Sequence, residues 1–141
     1  METILVLVVD DELMIRELYA DLLKERGYQV LIAKSALEGI EQARCFPVDA
    51  ILMDIMMPEM SGLDALRILR EIAPDVPVIM VTSYPTSEHA IQALKLGAYD
   101  FLPKGFKPDE LILAVRRAVE SLKSSRTSSM GPSMRNRPNT W

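Results

Sequence analysis

One cysteine, Cys45, is all the thiol chemistry the chain has. A lone cysteine excludes an intramolecular disulfide framework and accords with a reducing, cytoplasmic setting. It reads as a small, partly buried residue near a helix end rather than as a nucleophile. No apolar run approaches the roughly 20 residues that a membrane-spanning helix needs. The start, Met1-Glu-Thr-Ile-Leu-Val-Leu-Val-Val-Asp10, lacks a basic leader and a small-residue cleavage site, so it reads as a buried strand. Basic clusters are scarce too. The net charge is −4, and from Ser124 onward there are three arginines and no acids, which leaves −7 on residues 1–123. An acidic body argues against nucleic-acid binding by that body, because phosphate neutralisation needs clustered Lys and Arg. No Gly-rich phosphate loop or Walker pattern occurs.

What remains is ordinary globular material: 141 residues, 49% hydrophobic and 26% charged, enough for one domain with a real core. Ile4–Val9 is an uninterrupted aliphatic run, as in a parallel strand covered on both faces. A helix from about Glu12 to Arg26 follows, with Leu18 and Leu22 on its apolar face and Gly27 as its cap. Gln29–Ala33 is the second strand, and Ser35-Ala-Leu-Glu38 has capping-box spacing for the second helix. Val48–Met53 is the third strand and runs into Asp54. Leu63, Leu66, Leu69 and Ile72 mark a third helix, Val78–Val81 a fourth strand leading to Thr82. About Ser87 to Leu96 is a fourth helix and Tyr99–Leu102 a fifth strand. Pro108, Asp109 and Glu110 open a last helix with Leu111, Val115, Ala118 and Leu122 on one face. The periodicity stops at Ser124.

Strands alternating with helices predict an α/β fold, a doubly wound five-stranded parallel sheet with helices on both faces. The domain is expected over residues 1–123, and residues 124–141 as a disordered tail, a linker or an added segment. In such sheets the functional crevice lies beyond the carboxyl ends of the strands. Asp10-Asp11 follow the first strand, Asp54 the third, Thr82 the fourth and Lys104 the fifth. Three carboxylates on one rim repel unless a cation offsets them, and oxygen donors in carboxylate excess suit a hard divalent ion. A lysine and a threonine beside them can pair with phosphoryl oxygens. The set fits an acyl phosphate formed on a carboxylate nucleophile.

The motifs Val-Val-Asp10-Asp11-Glu, Met53-Asp54-Ile-Met-Met-Pro58-Glu-Met-Ser-Gly62, Val81-Thr82-Ser83 and Gly97-Ala-Tyr-Asp-Phe101-Leu-Pro-Lys104 carry a resemblance. From about Thr3 to Lys123 the chain resembles the receiver domain of bacterial two-component response regulators. The resemblance implies a flavodoxin-like fold and a phosphorylation-dependent signalling switch rather than an enzyme. It implies Asp54 as phosphoacceptor and Mg²⁺ (or Mn²⁺) held by Asp11, by Asp10 through water, by Asp54 and by the backbone carbonyl of Met56. Thr82 and Lys104 would contact the phosphoryl group, with Thr82 and Phe101 moving as the switch. Pro58 and Gly62 would shape the loop after Asp54, and Met56 and Tyr84 would flank the approach of water. The implied donor is a histidine kinase or a phosphotransfer protein, and homodimer formation on phosphorylation is an open outcome. Family members usually carry a Pro with a cis peptide bond after the lysine. Gly105 stands here, and a trans Lys104–Gly105 bond is expected, since a cis bond before a non-proline residue costs about 2.5–4 kcal/mol.

Two other readings compete. An aspartyl phosphatase on a similar scaffold needs a second acid two residues after the nucleophile, where Met56 stands. A degenerate receiver would act as a phosphorylation-independent binding module, with Asp10, Asp11, Asp54, Thr82 and Lys104 left intact for no purpose.

Overall fold

The computed structural model describes residues 3–83 and 88–129, the side chains of 125–129 excepted. Strands β1 (Leu5–Val9), β2 (Gln29–Ala33), β3 (Ala50–Asp54), β4 (Val78–Thr82) and β5 (Asp100–Pro103) form one sheet. Its order is β2-β1-β3-β4-β5 and every pairing is parallel. Helices α1 (Leu13–Glu25), α2 (Ala36–Cys45), α3 (Gly62–Ile72), α4 (Glu88–Lys95) and α5 (Pro108–Ser129) connect and cover it.

Side chains alternate across a strand with period two, and here both faces are apolar because both are covered. Val6, Val8, Leu52, Ile79 and Val81 pack under α1 and α5. Leu7, Val9, Ile51, Met53 and Met80 pack under α2, α3 and α4. That double cover explains the unbroken aliphatic runs. The chain leaves β1 toward β2 and afterwards builds outward from β3, so β1 and β3 part at a crevice at their carboxyl ends.

The capping box at Ser35 forms. Ser35 Oγ accepts from Glu38 N at 3.1 Å, while the Glu38 carboxylate accepts from Lys34 N, one residue earlier than the usual return bond. Leu63, Leu66 and Leu69 are buried in α3, as are Leu111, Val115, Ala118 and Leu122 in α5.

Several expectations need correcting. Leu18 is 50% exposed, and the face of α1 that meets the sheet carries Tyr19, Ala20 and Leu23. The helix has two apolar stripes, and the tertiary packing, not the periodicity, selects between them. Cys45 is exposed. It lies five residues past the buried Ile40, which turns it by about 140° from the packed face. β3 begins at Ala50, not Val48, because the Asp49 carboxylate accepts from Leu5 N at 2.9 Å and closes the strand's start. Helix α5 runs on to Ser129, so the boundary expected at Ser124 falls inside it. Tyr84 and residues 130–141, Trp141 included, lie outside the described residues.

Candidate functional site

Register alone brings the site together. Val9 is paired with Met53, which sets Asp10 beside Asp54 one step further along. Asp54 is paired with Val81, so Thr82 follows on the next strand, and Thr82 is paired with Pro103, so Lys104 comes next. Backbone bonds from Asp10 N to Ala33 O (3.1 Å) and from Lys104 N to Thr82 O (2.7 Å) carry the ladder past the strand ends. Asp10, Asp54 and Thr82 are the buried polar side chains among the described residues.

Lys104 ties them. Its Nζ donates to Asp54 Oδ2 at 3.2 Å and stands 3.6 Å from Asp10 Oδ2 and 3.8 Å from Glu12 Oε1. The other oxygens of both aspartates are held by backbone: Asp10 Oδ1 accepts from Glu12 N (2.9 Å) and Asp54 Oδ1 from Met56 N (3.3 Å). Asp10 Oδ2 is buried and has no hydrogen-bond partner.

Electrostatics follow from this crowding. Burial first, then the charge of Asp10, pushes the Asp54 carboxyl up to about 6, against the opposing pull of Lys104 and of the Met56 N–H. Burial likewise raises Asp10, with Glu12 N–H and Lys104 opposing it. Burial also works against the Lys104 ammonium, but Asp54 and Asp10 outweigh it and leave its pKa above the usual lysine value.

An acid-rich site with one buried carboxylate oxygen lacking a partner fits a hard divalent cation. Carboxylate oxygens of Asp10, Asp11 and Glu12 lie within 4.8 Å of one another. Glu12 was not among the candidates from sequence, where a third acid in the run passes for a solvated helix start. Arg16 was also missed: its Nη1 donates to the Asp10 carbonyl at 2.8 Å and braces the β1–α1 turn. The Met56 side chain is exposed, whereas Phe101 is half-buried against the core under α4.

Two glycines shape the rim. A Cβ on Gly62 would meet the Asp54 carbonyl oxygen and Ile55 Cα, and Gly62 N donates to Ile55 O at 2.8 Å. Only a residue without a side chain lets α3 start this close to the end of β3. Gly105 has φ +92° with open space around it, and no cis peptide bond occurs among the described residues. The Lys104–Gly105 bond is thus trans, as expected, and the loop uses glycine's left-handed freedom instead. Gly105→Ala is expected to cost about 1 kcal/mol from that conformation. Gly105→Pro should cost more, since its φ is fixed near −65° and the loop must rebuild. Denaturant midpoints of the two variants check the ranking.

Comparison with known proteins gives one consistent result. The family model described as the response regulator receiver domain matches residues 6–116. An NtrX-like response regulator of Rickettsia bellii (strain RML369-C) is 37% identical over 128 residues, 89% of this chain and 27% of that protein. The crystal structure of NtrX from Brucella abortus in complex with ATP superposes with a TM-score of 0.86 at 34% identity, over 91% of this chain and 29% of the other. A CheY-like receiver domain protein from Methanospirillum hungatei JF-1 gives a TM-score of 0.84 at 27% identity, over 88% of this chain and 99% of the other. The chain spans about a quarter of the length of the NtrX-like relatives it matches.

Proposed function

The chain belongs to the response regulator receiver family, and on that footing we propose that Asp54 is the phosphoacceptor of a signalling switch. The observation that carries this reading is the Lys104 ammonium bonded to a buried Asp54 and close to the unpartnered oxygen of a buried Asp10. A carboxylate nucleophile is thereby exposed to one cation and held by one backbone donor, at the carboxyl ends of the strands.

In the proposed reaction an Asp54 oxygen bonds to phosphorus as the bond from phosphorus to its donor atom breaks. The donor's imidazole or carboxylate leaves with that electron pair. Asp10 and Asp11, with Glu12 beside them and the Met56 carbonyl, would hold Mg²⁺ or Mn²⁺. When bound, the ion neutralises charge on the acids and on phosphoryl oxygens. Lys104 stands where a transferred phosphoryl oxygen would arrive and exchanges its Asp54 contact for that oxygen. Thr82, one strand over, offers its hydroxyl to the same group, and Phe101 answers its movement by changing rotamer. Donors of the histidine-kinase or phosphotransfer class fit this chemistry, and the output is a changed partner surface around α4, β5 and α5. The site lacks a second acid for turnover of phosphate esters, since Met56 occupies that position. No observation favours the phosphorylation-independent binding module.

Among the described residues no helix is long and apolar enough to cross a membrane. Incubation with acetyl phosphate and Mg²⁺ is expected to add one phosphoryl group by intact-mass analysis, and none with excess chelator. Uptake that is indifferent to the metal, or absent in its presence, would overturn the assignment.

A further inference from the structure

Lys104 is the first residue of the short loop between β5 and α5. Gly105, the next residue, has φ +92°, and nothing lies within 4 Å of where its Cβ would be. The fixed point before it is the bond from Lys104 N to Thr82 O. The next one after it is Phe106, whose ring lies 5.2 Å from that of Tyr19, tilted by 47°. Phe106 is half-buried, whereas Tyr19 is 3% exposed and packed in the core with Val8, Leu102, Leu111 and Ile112. The loop bearing the lysine runs from the end of β5, bonded there to Thr82 of β4, to Lys107, whose N–H donates to Glu110 Oε1 at 2.7 Å, and between these points Phe106 packs on one aromatic ring of α1.

We propose that Tyr19 is a positioning residue which, through Phe106, sets where the Lys104 ammonium stands relative to Asp54. The inference rests on the reading of Lys104 as the phosphoryl-contacting cation. Aromatic pairs in tilted geometry add about 0.5–1.5 kcal/mol beyond their burial, enough to select one loop arrangement over a near-degenerate one. Tyr19 also lies in the field of the site. Burial, and after it the charges of Asp10, Asp54 and Glu12, hold its phenol protonated, so it stays a neutral wedge and does not compete for the lysine. In a loop whose central residue imposes no steric limit, the wedge supplies the restraint that a proline ring would otherwise give.

The test is a double-mutant cycle read as the initial rate of phosphorylation from acetyl phosphate at saturating Mg²⁺. Tyr19→Leu should lower the rate by about tenfold or more, the scale expected of a displacement of about 1 Å or less. Tyr19→Phe, which keeps the ring, should restore it to within about twofold. A positioning role leaves Mg²⁺ affinity, read by calorimetry, unchanged, whereas a fall in it would show that the substitution acts through Asp10, Asp11 and Glu12 just ahead of α1 and would overturn that role. In a Lys104→Ala background Tyr19→Leu should have no further effect. Phe106→Leu, which attacks the same contact from the loop, should repeat the pattern and covers the case in which Tyr19→Leu folds poorly. An equal loss in the Lys104→Ala background, or a Tyr19→Phe variant as slow as Tyr19→Leu, would overturn the positioning role alone. Wild-type rates in Lys104→Ala itself would overturn the reading of Lys104 and the inference with it.

Discussion

Asp54→Asn is expected to take up no phosphoryl group and yet, in metal-free buffer at neutral pH, to be more stable than the parent chain by about 1–3 kcal/mol. The cause of the stability gain is the burial of the Asp54 carboxyl. A carboxyl raised from 3.8 to about 6 on folding costs on the order of 3 kcal/mol once ionised. Well below pH 4 both states are protonated and there is no penalty. As pH rises to about 6 the folded state keeps its proton longer than the unfolded one, so stability falls; above 6 the loss is complete. The amide of the variant has no such titration, and the stability gap should open between pH 4 and 6 and stay open. Urea denaturation at pH 4 and pH 7 with chelator measures it, and Mg²⁺ at pH 7 should narrow it by binding the folded parent. A gap of equal size at both pH values would remove burial of the Asp54 charge as its source.

Gly62→Ala should be the most damaging glycine-to-alanine change among the described residues. Its Cβ meets the Asp54–Ile55 peptide unit, at the Asp54 carbonyl oxygen and Ile55 Cα, and backbone cannot rotate away. Overpacking of this kind costs about 1–3 kcal/mol, and the usual gain of Ala over Gly in a helix is small at the first position of α3. The functional loss should be larger than the stability loss suggests. Moving the Asp54 carbonyl moves the carboxylate beside it, and misplacement by about 1 Å can cost on the order of 10²-fold in rate. Chemical denaturation together with phosphorylation rate checks both halves. A fully stable variant phosphorylated at the parent rate would mean that the loop yields without moving Asp54.

Asp10, Asp54, Thr82 and Lys104 were legible in the sequence because each directly follows or ends an apolar run, and parallel strands deliver such residues to one edge. Their contacts were not legible in the same way. Glu12 looks like any acid opening a helix until Lys104, ninety-two positions later, comes within 3.8 Å of it. Tyr19 was hidden by α1 itself, where Leu13, Met14 and Leu18 compete with Ile15, Tyr19, Leu22 and Leu23 for the inner face. A 3.6-residue period finds a stripe but does not choose between two. Ser124 to Ser129 have no apolar signal at all, yet they continue α5, because extending an existing helix costs far less than starting one.

That extension gives the molecule a mechanical gearing. α5 is 22 residues long, about 33 Å as a rod. Its seat on the sheet runs from Leu111 to Leu122, and seven further residues carry the axis about 10 Å beyond the seat. A rod held along part of its length magnifies small motions at its far end. A tilt of about 10° pivoting at Leu111 would carry Ser129 through about 5 Å, against about 3 Å at Leu122. A tilt of that size set off near Lys104 and Phe106, which lie just ahead of the first turn of α5, would emerge at the far end of the helix as travel comparable to one of its turns.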